Sequence, residues 1–167
     1  MDASAAIALV VREPQGQAVH RLLSTWNAED RPVLVSPFFW LEVVNSLMRR
    51  NSWSGADTLA AVHRLDTYEL ETIEQDRGLV VSGLDLAERH DLTAYDAAYL
   101  ALAIRLDAQL LTLDRRLALA AGQRAVGIGE RRVSEPRQTY EREVTWPNYR
   151  SASAYLAKLR AEAVRGG

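Results

Sequence analysis

Four acidic residues stand where apolar stretches meet helical ones. Asp2 opens MDASAAIALV, Glu42 interrupts VLVSPFFWLEVVNSLM, Asp96 interrupts LTAYDAAYLALAI, and Asp114 closes QLLTLD. Glu42 is the only charged residue between Val33 and Met48, and Asp96 the only one between Leu92 and Ile104. A carboxylate in apolar surroundings is costly unless it is paired or coordinates a metal. Carboxylates gathered in one pocket also raise one another's pKa unless a hard divalent cation neutralises them. The pattern reads as an acidic pocket for Mg²⁺ or Mn²⁺, ions that take oxygen ligands and keep several waters. One such ion, or a pair, can activate water and stabilise the charge of an in-line displacement. Phosphodiester hydrolysis is the reaction class that follows, with Asp2, Glu42, Asp96 and Asp114 as both metal ligands and catalytic residues.

Each acid also has a plainer reading. Thr93 and Asp96 form T-x-x-D, close to a capping box, and Asp114, Asp2 or Ser4 could each be a helix N-cap. Capping accounts for neither Glu42 nor the lack of other charge around it. Asn45 lies three residues after Glu42 on the same helix face, and Ser4 and Thr112 are placed to support the carboxylates by hydrogen bonding. Arg115 and Arg116, just after Asp114, are candidates for phosphate contact. Arg49 and Arg50 read better as a solvated helix face.

The elements that must position these residues alternate between helical and strand patterns, which argues an α/β fold with a mostly parallel sheet. Helices are predicted over 4–11, 17–28, 37–50, 54–68, within 78–90, from Thr93 onward, and over 114–121. Strands are predicted over 33–35, 70–73, 109–113 and 125–128. Ser36 and Pro37 have the residue types of a helix N-cap and first helical position. In open parallel sheets ligands gather at the carboxyl ends of the strands, where Asp2 and Asp114 fall. After Gly129 the sequence is charged and lacks clear periodicity until a predicted terminal helix over 151–164, with Tyr155, Leu156 and Leu159 on one side. Residues 129–167 read as an extension of a domain spanning 1–128, not as an independent domain.

Composition narrows the function further. At 167 residues, 48% hydrophobic and 25% charged, the chain suits a single folded domain. It has no cysteine, which excludes disulfides, thiolate metal sites and a cysteine nucleophile and fits a reducing cytoplasm. His20, His63 and His90 lack ligand spacing, so zinc is disfavoured. No apolar run is long enough to span a bilayer, and a cytoplasmic location with no membrane partner is the expectation. The net charge of −2 gives no general attraction to nucleic acid, so local patches must supply any contact with RNA.

The segments DAS at Asp2 to Ser4, LEVVNSLMRR around Glu42 and Asn45, and LTAYDAAYLALAIRLDAQLLTLDRRLA from Leu92 to Ala118 together resemble the PIN-domain ribonucleases. The likeness is specifically to the VapC-type toxins of bacterial toxin–antitoxin pairs, and it runs from Met1 to about Ile128. It implies a parallel sheet sandwiched by helices, and Mg²⁺- or Mn²⁺-dependent endonucleolytic cleavage of RNA, with tRNA or rRNA as candidate substrates. It also implies a cognate antitoxin and a homodimer. Asp2, Glu42, Asp96 and Asp114 match the family's acidic quartet, and Ser4, Asn45 and Thr112 its supporting polar positions. Family members place several apolar residues before the first Asp. Here only Met1 precedes it, so the expectation is a start upstream of Met1 or a stunted central strand.

Two alternatives remain distinguishable. A haloacid-dehalogenase-like phosphatase needs a second Asp two residues after the first, where Ser4 stands, and relies on a lysine. The sole lysine is Lys158, in the extension. The other is a catalytically inactive PIN-like scaffold that binds RNA or protein, against which the complete quartet argues.

Overall fold

In the computed structural model, which describes residues 1–128, the chain runs α1 (Ala3–Val11), α2 (Gly16–Ala28), β1 (Val33–Val35), α3 (Pro37–Arg49), α4 (Gly55–Asp66), β2 (Leu70–Thr72), α5 (Arg77–His90), α6 (Ala94–Arg105) and α7 (Arg115–Ala121). A 3-10 turn, Gly122–Arg124, follows α7. The predicted extension and its terminal helix lie outside the described residues.

The first helix is made of small side chains. Ala3, Ala5, Ala6 and Ala8 are buried, so α2, α3 and α4 can all pack on α1 at close range. The closest approach is at Gly16, where a Cβ would come within 2.3 Å of the Ala8 carbonyl oxygen. Only glycine fits there. On α2, Val19 and Leu23 are fully buried while Leu22 and Trp26 are partly buried against the same core, so one face of this helix turns inward. Phe39, Val43 and Leu47 of α3, Leu65 of α4, Leu100 of α6 and Leu117 of α7 complete that core. Each such side chain contributes roughly 1.5–3 kcal/mol by leaving water.

The sheet is parallel and short. β1 pairs with β2 in the register Val33↔Leu70, Leu34↔Glu71, Val35↔Thr72, and the Ile73 amide donates to Val35 O at 2.9 Å to prolong the ladder. On the other side of β1 the Met1 amine donates to Leu34 O at 2.7 Å, and the Asp2 amide donates to Leu111 O at 3.0 Å. Met1 and Asp2 therefore run between β1 and the segment at Leu110–Thr112. That segment makes one parallel bridge, Leu110↔Ala125.

Here the structure departs from the predicted strands at 109–113 and 125–128, which shrink to this single bridge. The cause is visible in the hydrogen bonds. Leu110 N donates to Arg124 O and Val126 N to Leu110 O, but farther along the segment two amides find side chains instead of a neighbouring strand. Leu113 N donates to Ser4 Oγ at 2.8 Å and Asp114 N to Thr112 Oγ1 at 3.0 Å. Hydroxyl groups that compete for backbone amides end a ladder. They end it where the acids begin.

Among the described residues no helix is long and apolar enough to cross a membrane.

Candidate active site

The site is built at the ends of these short parallel segments. Asp2 follows Met1, Ser36 follows β1, and Thr112 and Asp114 follow Leu111. Asp2 is only 3% exposed and is held by three donors. Ser4 Oγ donates to Oδ1 at 2.7 Å, Thr112 Oγ1 to Oδ2 at 2.7 Å, and the Ala5 amide to Oδ1 at 3.4 Å. Its pKa is raised all the same, because burial outweighs the hydrogen bonds that favour the charged form. Thr112 joins two of the acids: it donates to Asp2 and accepts from the amide of Asp114.

Glu42 sits on α3, half-buried, and accepts a short hydrogen bond from the hydroxyl of Tyr99 on α6. Its carboxyl is also raised, first by burial, with the negative charges of Asp2 and Asp96 adding to the effect and the Tyr99 bond opposing it. Asp2 and Asp96 thus both lie within electrostatic reach of Glu42. Tyr99 itself is pushed far above the usual phenol range by burial and by the neighbouring Glu42, so it stays a donor. Its position was not singled out by the sequence, because in AAYLALA a tyrosine reads as one more core residue. Its only signal was a buried polar tip that needs a partner, four residues after Tyr95. Ser36 occupies the N-cap position of α3 with Pro37 after it, yet its hydroxyl makes no cap bond. Fully buried beside Tyr99, it has no well-formed hydrogen bond among the described residues.

Asp96 and Asp114 are turned toward their own helices. Thr93 is the N-cap of α6: its hydroxyl donates to Asp96 Oδ2 at 2.7 Å and accepts from the Asp96 amide at 3.1 Å. Asp114 caps α7, accepting from Leu117 N at 2.8 Å. The plainer readings of these two residues are realised in this structure, and they leave one carboxylate oxygen of each without a hydrogen bond among the described residues. Asn45 is exposed and its side chain has no hydrogen bond among the described residues. Arg116 is paired with Asp91, whereas Arg115 is exposed with no ion pair among them.

Among the described residues no three acidic or histidine side chains lie close enough together to enclose one ion. Each carboxylate is instead satisfied by a neutral donor: hydroxyls for Asp2, Glu42 and Asp96, an amide for Asp114. The donor set still fits Mg²⁺ or Mn²⁺, which bind through one or two carboxylates plus waters and substrate phosphates and need no all-protein cage. Mutual repulsion at Glu42 is what such a cation would relieve. A cavity of about 340 Å³ opens at the opposite ends of the strand segments, lined by residues including Trp26, Val33, Leu106 and Leu111. None of the four acids borders it.

Parallel segments flanked by helices, with carboxylates at the carboxyl ends, define an α/β protein with its site in the position expected of that class. The sequence matches the PIN domain family over residues 1–123, and the chain belongs to that family. It is 30% identical over 124 residues to Ribonuclease VapC3 of Pyrobaculum aerophilum, an alignment spanning 71% of this chain and 90% of that protein. The crystal structure of PAE2754 from Pyrobaculum aerophilum is similar with a TM-score of 0.54 at 22% identity, over 75% of this chain and 84% of that one. That last likeness is one of fold alone.

Proposed function

We propose that this chain is a divalent-metal-dependent endoribonuclease and the toxin of a toxin–antitoxin pair, acting in the cytoplasm. The observation that carries the catalytic reading is the raised Glu42 carboxyl, on which the charges of Asp2 and Asp96 converge from two other segments of the chain. Similarity to Ribonuclease VapC3 supports RNA as substrate and an antitoxin as partner.

In this reading Asp2 is the fixed anchor, held by Ser4 and Thr112, and Glu42 is aimed by Tyr99. Asp96 and Asp114 offer the carboxylate oxygens that capping leaves open. Bound among them, Mg²⁺ or Mn²⁺ supplies charge neutralisation at the scissile phosphate. Arg115 stands ready for a neighbouring phosphate. The short exposed rim suits a chain of RNA laid across it better than a small molecule enclosed by it.

The test is cleavage of a mixed RNA pool with Mn²⁺ or Mg²⁺, with EDTA as control. Metal-dependent internal cuts by the wild type, absent in a folded Asp96→Asn protein, are the expected result. A second reading, a scaffold that binds RNA without cutting it, is favoured by the absence of a closed three-acid cluster. RNA binding with no cleavage would leave that reading in place, whereas cleavage indifferent to EDTA would overturn the metal dependence.

A further inference from the structure

Of the aromatic residues described, Tyr95 alone is exposed, at 59%, and it immediately precedes Asp96. Tyr95 is not a loose surface side chain. Its ring meets Phe38 edge to face, with centroids 5.7 Å apart. Phe38 in turn meets Tyr99 at 4.9 Å, and Tyr99 donates its hydroxyl to Glu42. Phe38 lies one helical turn before Glu42, and Tyr95 one turn before Tyr99, so both pairs share a helix face. A continuous row of rings therefore leads from an exposed tyrosine to the Glu42 carboxylate.

We propose that Tyr95, braced by Phe38, is a stacking platform for one unpaired nucleobase of a single-stranded RNA lying across the acidic rim. This rests on the RNA reading above and adds to it a residue that positions the substrate. An aromatic face accepts any base by stacking, without hydrogen-bond readout. Base pairing hides that face in a duplex. The same arrangement would set the distance between the stacked nucleotide and the phosphate presented to the acids, so the platform positions the substrate as well as holding it. The carboxylates around it repel phosphate, which makes a neutral contact such as stacking the more valuable part of the recognition.

The test uses the full chain and a fluorescein-labelled, mixed-sequence, single-stranded RNA. Binding is read by anisotropy with Ca²⁺ in place of Mg²⁺, and a gel verifies that the RNA stays intact. Tyr95→Phe should bind as the wild type does, while Tyr95→Ala and Tyr95→Leu should weaken binding about tenfold. Because the ring is mostly in solvent, the thermal midpoint should hardly move. A fully paired RNA of the same sequence should bind more weakly than the single strand and show no dependence on residue 95. Equal binding by the wild type and Tyr95→Ala would overturn the proposal, as would absence of single-strand binding by the wild type. A change in sedimentation on Tyr95→Ala without any change in RNA binding would overturn it too, by assigning the ring to a protein interface. Binding that depends on Tyr95 in a wild type that cuts no RNA would sustain the platform and sink the nuclease reading instead.

Discussion

Asp96 is both a partner in the cap of α6 and a charge that reaches another acid. It closes a reciprocal pair with Thr93 at the start of α6, and its charge is felt at Glu42. The roles separate on substitution. Asn at 96 keeps an oxygen for the Thr93 hydroxyl, so the stability of Asp96→Asn should change by less than about 0.5 kcal/mol, whereas Thr93→Ala should cost about 1 kcal/mol as a lost cap. Cleavage should fail in the first variant and persist in the second; the reverse pattern in paired urea-melt and cleavage assays would make Asp96 a cap and nothing more. Glu42 yields a pH prediction. Its folded-state pKa is raised above the ordinary 4.5, so the folded protein holds that proton to higher pH than the unfolded chain does. The stabilisation is complete below the ordinary range and is lost as pH rises through the raised value. Glu42→Gln stays neutral and keeps an oxygen for Tyr99. In EDTA its urea midpoint at neutral pH should exceed that of the wild type, and its decline from about pH 4 upward should be shallower. Asp2, raised in the same direction, keeps the slope from vanishing. A variant less stable than wild type at neutral pH would refute the raised carboxyl of Glu42.

At the scale of elements, helices were more legible in the sequence than strands. Capping residues, apolar spacing and Pro37 mark α1 to α7 to within a few residues, since those signals are local. The segments at 109–113 and 125–128 carry strand-like residues, but they meet in one bridge, and Ser4 and Thr112 take the amides of Leu113 and Asp114. One of those hydroxyls comes from more than a hundred positions away, and no window on the sequence contains it. The same limit hid Tyr99, whose meaning comes only from Glu42 on another helix, and it hid the idle hydroxyl of Ser36. Thr112 is the element-scale test, because its side chain ties the central segment to the first helix and to α7 at once. Thr112→Val preserves shape and removes the hydroxyl. It should cost about 1–3 kcal/mol, since a buried carboxylate loses a donor and the Asp114 amide an acceptor. Thr112→Ser should restore most of this. A valine variant as stable as the wild type in urea would mean that the bridge between Asp2 and Asp114 is not structural.

Across the whole molecule, exposed apolar side chains are distributed over several helices, among them Leu41 and Met48 on α3, Leu59 on α4, and Val80 and Leu84 on α5. Together with the family resemblance they motivate a homodimer, and sedimentation at micromolar concentration should find one; a monomer there would count against it. Metal linkage gives the decisive whole-molecule measurement. An ion that binds the folded chain alone stabilises it by RT ln(1 + [L]/Kd), about 2.7 kcal/mol at a hundredfold excess over Kd. Mn²⁺ or Mg²⁺ should therefore raise the thermal midpoint, and by more at neutral than at mildly acidic pH, because the raised carboxyls of Asp2 and Glu42 must lose their protons to ligate. That pH dependence separates specific binding from a general salt effect, which would act alike on every variant. Glu42→Gln and Asp2→Asn should each remove most of the shift, and their double variant should lose little more, as members of one site are not additive. Deleting the residues after Gly129 should leave the shift intact, because all four acids precede that point. A wild type whose midpoint ignores millimolar Mn²⁺ and Mg²⁺ at every pH would leave a PIN-domain scaffold with an acidic rim and no metal chemistry to perform.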